Sequence, residues 1–276
     1  MPPTALLWEG YRPHNDFCMI PDFLWSLPDL VIVVLFFGLF AALGLFLPKL
    51  GQRFFGRMAN EPETRLVDRT QRGLRAFLVF LLALTLNDVR EKFVRMDAEA
   101  AREAGEIKQL HRVLEIDSSP LARRERELLR DYAGAIAEDE WKTLGGQPPA
   151  LSARADEILA ELRTLVKSRA LNNRTGDGSE VWAGLNQLED LRQARLQKAQ
   201  SSTASLFWIV IGLMMVFECL MTTESRMTPR RKVTLGGYYG CLGMIIGLIL
   251  IFERPFSGAT RLSAEPFRQV SQLVDK

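Results

Sequence analysis

The sequence predicts an all-α membrane protein in which four transmembrane helices carry an antiparallel helical bundle, inserted between the second and the third. Three observations predict it. Leu30–Leu47 and Leu235–Phe252 are each 18 residues without a charge. Residues 88 to 200 hold 40 of the 68 charged side chains. Apolar residues recur at helical spacing, and no segment alternates with the period of a strand. The averages over the 276 residues conceal this division: 35 Lys+Arg against 33 Asp+Glu gives a net charge of +2. Averages of that kind describe an ordinary soluble enzyme.

The first span, Leu30–Leu47, covers about 27 Å at 1.5 Å per residue, close to the ~30 Å hydrocarbon core. Met1–Leu27 carries one basic residue, Arg12. It lacks the positive start of a cleavable signal peptide, so the first run is expected to remain as an anchor. The second span is short. Ala76–Leu86 gives 11 uncharged residues between Arg75 and Asn87. It reaches spanning length only by taking in Arg72, Arg75, Asn87, Asp88 and Arg90, which are tolerated at membrane depth when they face protein or water. A buried core helix or a re-entrant segment is the alternative. Ala204–Phe217, extended past Glu218, is the third span and Leu235–Phe252 the fourth.

Seven Lys/Arg lie between Lys49 and Arg75 and four more between Glu224 and Thr234. Basic short loops are retained in the cytoplasm. The N-terminus, the 88–200 region and the C-terminus are therefore expected on the non-cytoplasmic side.

Beyond the second span, apolar residues at 89, 93, 96, 100, 107, 110 and 114 form a heptad-like stripe interrupted by Glu103, so that span is expected to continue as one helix to about Ile116. Ser119-Pro120 starts the next helix, with Ser as N-cap and Pro in the first turn. It carries Leu121, Leu128, Tyr132 and Ile136 and stops at Gly145-Gly146. A third begins at Ser152, and 172–178 has the composition of an exposed loop. A fourth runs from Glu180 without a breaker into the 204–223 span. The implied division is 1–87 (N-terminal segment and spans one and two), 88–203 (bundle), 204–252 (spans three and four) and 253–276 (C-terminal segment). Charged positions in the bundle are read as solvated faces.

The composition excludes several activities. Interleaved charge offers no basic stripe for nucleic acid. Cys18, Cys219 and Cys241 form no disulfide framework and lie outside CxxC spacing. Two histidines, His14 and His111, do not make a metal centre, and His111 reads as structural. Glu138-Asp139-Glu140 reads as solvated charge, because three successive helical residues do not converge on one ion. There is no HExxH, GxSxG or phosphate loop. No enzyme activity, cofactor or metal is expected.

Three groups of residues stand out. Gly236, Gly240, Gly243 and Gly247 put small residues on one face of the fourth span, where helices can approach closely. Glu218, near the end of the third apolar run, either snorkels to the interface or points inward to a partner or an ion pathway. On the 76–92 helix, Phe77, Leu81 (or Phe80), Leu84 and Asp88 share a face. Copies of that helix around an axis make an apolar constriction, with Asp88 and Glu91 as acidic rings beside it, an arrangement that gates by dewetting and favours cations. Ordinary helix packing is the alternative use of the face.

Four patches together resemble a known family. They are Asn87-Asp88 with Glu99-Ala100, Tyr132-Ala133 with Glu140-Trp141, Arg192 to Arg195-Leu196, and Glu253-Arg254-Pro255-Phe256-Ser257-Gly258 followed by Ser263-Ala264-Glu265-Pro266-Phe267. Pro255, Phe256 and Gly258 are the most specific. The chain resembles the bacterial bestrophin-like membrane proteins, themselves distantly similar to the bestrophin channels. The resemblance implies a multi-pass protein of the bacterial inner (plasma) membrane. It also implies a pentameric ion channel with four spans per subunit and a second span forming an apolar neck, here Phe77, Phe80 or Leu81, and Leu84. Two departures stand out: the run after the neck is Asn87–Phe93 rather than aromatic and Arg-rich, and no acidic calcium cluster follows Phe252. Bestrophins also keep their helical domain in the cytosol, opposite to the side the Lys/Arg count gives here.

Two functions are consistent with these features. One is a homo-oligomeric ion channel whose partners are the lipid bilayer, permeant ions and its own copies. The other is a non-conducting membrane-anchored sensor, or a protein-interaction or assembly module, built on the bundle.

Overall fold

A computed structural model describes residues 27–55, 65–146, 148–172, 177–201, 205–221 and 228–273. The N-terminal segment with His14 and Cys18, the middle of the Lys49–Arg75 loop, residues 173–176 of the expected exposed loop, and Arg226 lie outside them. Within them the chain is helical and has no strand. The elements are α1 (Asp29–Phe55), α2 (Arg65–Glu115), α3 (Pro120–Ala135), a π segment (Ile136–Glu140), α4 (Trp141–Leu144), α5 (Ala153–Asn172), α6 (Asp177–Gln200), α7 (Ser205–Met221), α8 (Pro229–Phe252) and α9 (Glu265–Ser271).

The long helix expected past the second apolar run is present and starts earlier. α2 has 51 residues, about 77 Å of unbroken helix at 1.5 Å per residue. Its two halves belong to different cores. Leu78, Leu82 and Val89 pack with Ile211 and Met215 of α7 and with Tyr239, Leu242, Ile246 and Ile249 of α8, while Phe36 and Phe40 of α1 lie against the same group. From Met96 onward α2 joins a second core with α3, the π segment, α5, α6 and α9. The molecule is thus an apolar helix layer and a charged helical bundle sharing one rigid rod.

Two helices among the described residues are long and apolar enough to cross a membrane, Asp29–Lys49 and Pro229–Phe252; the apolar part of α7, Leu206–Glu218, is shorter.

Helix starts follow local chemistry. The Ala122 N–H donates to Ser119 Oγ at 3.1 Å, with Pro120 in the first turn. Thr228 caps α8 in the same way, taking the Arg231 N–H at 3.4 Å ahead of Pro229. In each, the hydroxyl satisfies an amide that has no partner within the helix, and proline occupies a position needing no N–H.

The sequence does not predict two features. A π segment, with one extra residue in the turn, separates α3 from α4. The expected continuity from the bundle into the third apolar run is also absent. α6 ends at Gln200, and Ser201 lies outside helix, with both its N–H and its hydroxyl donating to the Lys198 carbonyl at 3.1 and 2.8 Å. A serine that turns back on its own helix competes with continuation of the helical ladder.

The glycine row of α8 lies against α1. A Cβ on Gly243 would lie 2.5 Å from the Phe36 carbonyl oxygen, and one on Gly240 would lie 2.6 Å from the Phe37 ring. Gly247 and Gly236 face Phe36 and Leu45 at 3.3 and 3.7 Å. Where lipid surrounds helices, such backbone proximity supplies the dispersion contact that holds them together.

Candidate functional site

The bundle buries charge. Glu140 is fully buried and Arg192 is 2% exposed, so reading Glu140 as solvated is corrected. Arg192 Nε donates to Glu140 Oε2 and Oε1 at 2.9 and 3.1 Å, its Nη2 to the Ser152 carbonyl at 3.2 Å, and its Nη1 to Asp156. The Ser152 N–H donates to Glu140 Oε2 at 3.2 Å. One turn further along α6, Arg195 gives Nη2 to Glu140 and Nη1 to Glu103 Oε2, the latter at 2.5 Å. Glu103, which interrupts the apolar stripe of α2, is 1% exposed. Nearer the protein surface, Lys198 pairs with Glu99. Two arginines spaced i, i+3 on α6 therefore bind acids from α2, the π segment and α5.

Aromatic rings close the cluster. Arg195 lies over the Trp141 and Phe267 rings at 5.3 and 5.4 Å, and Arg192 over Tyr132 at 5.9 Å. Trp141 packs edge-on to Phe256 at 5.2 Å and donates from its indole nitrogen to the Leu262 carbonyl at 2.9 Å. The Ser257 hydroxyl donates to the Gly145 carbonyl at 2.9 Å. The segment after α8 is thereby tied to the end of α4. Gly258 makes the turn possible with φ 84°, a region side chains avoid, while Thr260 bonds Asp29 at the start of α1. The resemblance patches from Glu99 to Phe267 meet here, while Asn87-Asp88 lies on the exposed side of α2.

The electrostatics separate the two central acids. Burial opposes ionisation of Glu140, but the Arg192 hydrogen bonds and the charges of Arg195 and Arg192 outweigh it and hold its carboxyl below the usual range. Burial also dominates at Glu103, where Arg195 offsets it only in part and Glu140 adds repulsion, so its pKa is pushed up to about 7. The Tyr132 hydroxyl is raised by burial and by the Glu103 charge. Arg192 is held firmly protonated: burial works against its charge, and the Glu140 hydrogen bonds and charge prevail. Desolvation and opposing charge compete at each group, and the number of partners decides the result.

A second buried network supports the far end of the bundle. Arg169 bonds Glu125 at 2.7 Å and Asp117 at 2.6 Å, and Arg126 donates to the Leu114 carbonyl at 2.6 Å. Glu125 is fully buried. Several bundle charges that the sequence presents as solvated are thus interior.

The residues expected to line a pore divide between two faces of α2. Phe77, Phe80 and Leu84 are 52, 57 and 50% exposed. Asp88 and Glu91 are exposed on the same side, each paired one turn on, with Lys92 at 2.8 Å and with Arg95. Leu81 is half-buried against the apolar core, so Phe80 rather than Leu81 belongs to the outer row. Glu218 points inward. It is 1% exposed, paired with Arg75, and the Tyr238 hydroxyl donates to its Oε2 at 3.5 Å. α2, α7 and α8 are joined at that point. His111 is buried in the bundle. Glu138 is exposed, and Asp139 pairs with Arg154 at 3.0 Å.

No group of three or more His, Cys, Asp or Glu able to hold a metal occurs among the described residues. The signals of the cluster in the sequence were Glu103 within an apolar stripe and the resemblance patches Glu140-Trp141 and Arg192 to Arg195-Leu196; nothing local marked Glu140 as buried.

The family model described as Bestrophin-like domain matches residues 38–267. No curated protein and no solved structure matches the chain.

Proposed function

The chain belongs to the bestrophin-like family, and from that premise we propose that it is a homo-oligomeric ion channel of the bacterial inner membrane. In this reading α1, the 76–92 part of α2, α7 and α8 are its four spans, and α2 lines the pore. One observation carries the reading: the two faces of α2 are used differently. Leu78, Leu82, Thr85 and Val89 are buried within the subunit, while Phe77, Phe80 and Leu84 are left uncovered.

The uncovered row continues through Asn87, Glu91, Val94, Ala98, Ala101 and Gly105, all exposed. Its steps alternate between three and four residues, a 3.5-residue period. A row with that period keeps facing one axis when several copies of a helix lie side by side. Lipid alone does not call for such a row past the membrane, where Val94 remains 56% exposed.

Phe77, Phe80 and Leu84 form the neck, which passes ions when wetted and blocks them when dry. The acids beyond it are each offset by a cation one turn away, so the charge of the mouth is close to neutral. The Lys/Arg count still favours a bundle outside the cytoplasm. Labelling of Ser179→Cys in intact cells by an impermeant reagent tests that side, and labelling only after lysis reverses it.

The channel reading is tested by single-channel recording of purified protein in a planar bilayer. Leu84→Ala widens and wets the neck, so its conductance is expected to exceed that of the wild type. Protein that is monomeric or dimeric in mild detergent, and passes no current in either form, leaves the second reading, a non-conducting anchored sensor or assembly module. The separate core of the bundle favours that alternative, because it is a folded unit able to present a surface on its own.

A further inference from the structure

We infer that Glu103 is a proton-binding site that opens and closes the ionic seam between α2 and α6, the two helices on which the bundle meets the apolar layer. Three routes out of that layer converge on it. α2 passes through it as one helix and contributes Glu103. α6, which precedes α7, contributes Arg195. The segment following α8 contributes Phe267, whose ring lies under Arg195 at 5.4 Å. A change of charge at this point is therefore applied to the pore-side helices together.

The geometry of Glu103 is asymmetric. Oε2 accepts from Arg195 at 2.5 Å, whereas Oε1 is buried with no hydrogen-bond partner. The Tyr132 hydroxyl is likewise buried without a partner, and it lies near enough for the Glu103 charge to raise its pKa. A buried acid with one oxygen unsatisfied is poorly compensated as an anion. A proton on Oε1 removes that buried charge.

The other charged groups around Glu103 are paired with one another. From the π segment Glu140 stays ionised, since Arg192 and Arg195 both bind it. From α6 Arg192 stays protonated, and Lys198 is occupied with Glu99. Asp156 of α5 is bound to Arg192. The charged pair on α9, Arg268 with Glu265, is exposed at 3.7 Å. Glu103 is thus the member of the cluster whose charge changes near neutral pH, its carboxyl standing at about 7.

The sign follows from linkage. A carboxyl whose folded-state pKa lies above its unfolded value of 4.5 stabilises the fold below that value, and the contribution is lost as pH rises through about 7. At high pH Glu103 is an anion bridged to Arg195. At low pH it is neutral, the bridge loses its charge, and Arg195 remains with Glu140.

The test does not depend on conduction, so its failure is separable from failure of the channel reading. Infrared difference spectra of full-length protein in nanodiscs, titrated from pH 5 to 9, report the carbonyl band of a buried protonated carboxyl. Hydrogen exchange on the same samples reports the α2–α6 seam at 99–103 and 192–198. As pH rises the wild type is expected to lose the band, and to lose protection at the seam, with one midpoint within about a unit of 7. Glu103→Gln is expected to show neither change. Should that variant not fold, Arg195→Gln moves the midpoint upward, because it removes the cation that favours the anion. A wild type with no transition in this range, a band that survives in Glu103→Gln, or seam exchange indifferent to pH overturns the inference.

Discussion

The apolar layer and the bundle solve the packing of helices in opposite ways. In the layer the informative contacts are made by the smallest residues: Gly243 and Gly240 admit the α1 backbone and the Phe37 ring. In the bundle they are made by the largest polar ones: Arg192 and Arg195 reach across to Glu140, Glu103 and Asp156. In the proposed membrane reading the difference follows from the solvent around each helix. Within lipid the exposed surface is as apolar as the buried surface, so proximity is what distinguishes a contact. Within water an apolar stripe brings helices together without fixing their register, and an ion pair that must be matched on both sides fixes it. That specifying role for buried charge is the reading offered for this protein.

The sharpest way to break the comparison is to remove a charge from the bundle. Arg192→Ala leaves Glu140 with only Arg195 and the Ser152 N–H, and leaves Asp156 without this arginine. Breaking a buried pair from one side costs about 3–5 kcal/mol, enough to unfold many domains of this size. The expected outcome is loss of the bundle's cooperative thermal transition while the apolar layer keeps its helicity, followed by circular dichroism in detergent. An unchanged transition would show that the cluster contributes little to the fold.

The second test enlarges the smallest residue. At Gly243 a new side chain meets the backbone of Phe36, which has little room to shift. Overpacking of this kind costs about 1–3 kcal/mol. Gly243→Leu is expected to separate α1 from α8 and lower the yield of assembled protein on size-exclusion chromatography. Gly237→Leu, at a position where a Cβ meets nothing within 4 Å, is the control and is expected to be neutral. Equal yields from both would remove the case for close packing in the layer.

Legibility in the sequence divides along the same line. The glycine row, the start at Ser119-Pro120 and the continuity of α2 could be read because each depends on neighbours within a turn or two. The buried charges could not. Glu140 and Arg192 are separated by 52 residues, and a carboxylate on a helix reads as solvated until its partner is placed. Glu103 was visible as an interruption in an apolar stripe, but the interruption gave no sign that Arg195 answers it. The π segment had no local marker, and the break at Ser201 lay within a run of small polar residues that a helix also tolerates. On the outer row of α2, spacing alone left Phe80 and Leu81 as alternatives. Burial separates them, because only one of the two touches the core of its own subunit.

The smallest expected effect lies at the junction of the two regions, where α2 leaves the apolar row. Asp88 is more than half exposed and sits 2.8 Å from Lys92. An exposed i, i+4 pair of this kind contributes about 0.3–0.5 kcal/mol, so Asp88→Asn is expected to leave folding and assembly unchanged. Its consequence is electrostatic. In the proposed channel each copy would lose one negative charge while Lys92 and Arg95 remain, so a ring close to neutral would become positive at the mouth of a low-dielectric neck, a position that concentrates counter-ions of the opposite sign. Reversal potentials under a salt gradient should shift toward anion preference, and the shift should shrink at high ionic strength, where the Debye length falls to about 3 Å at 1 M. If α2 faces lipid or a partner protein instead of an axis, the same substitution moves no reversal potential at any salt concentration, and the uncovered row of α2 then belongs to an interface rather than a pore.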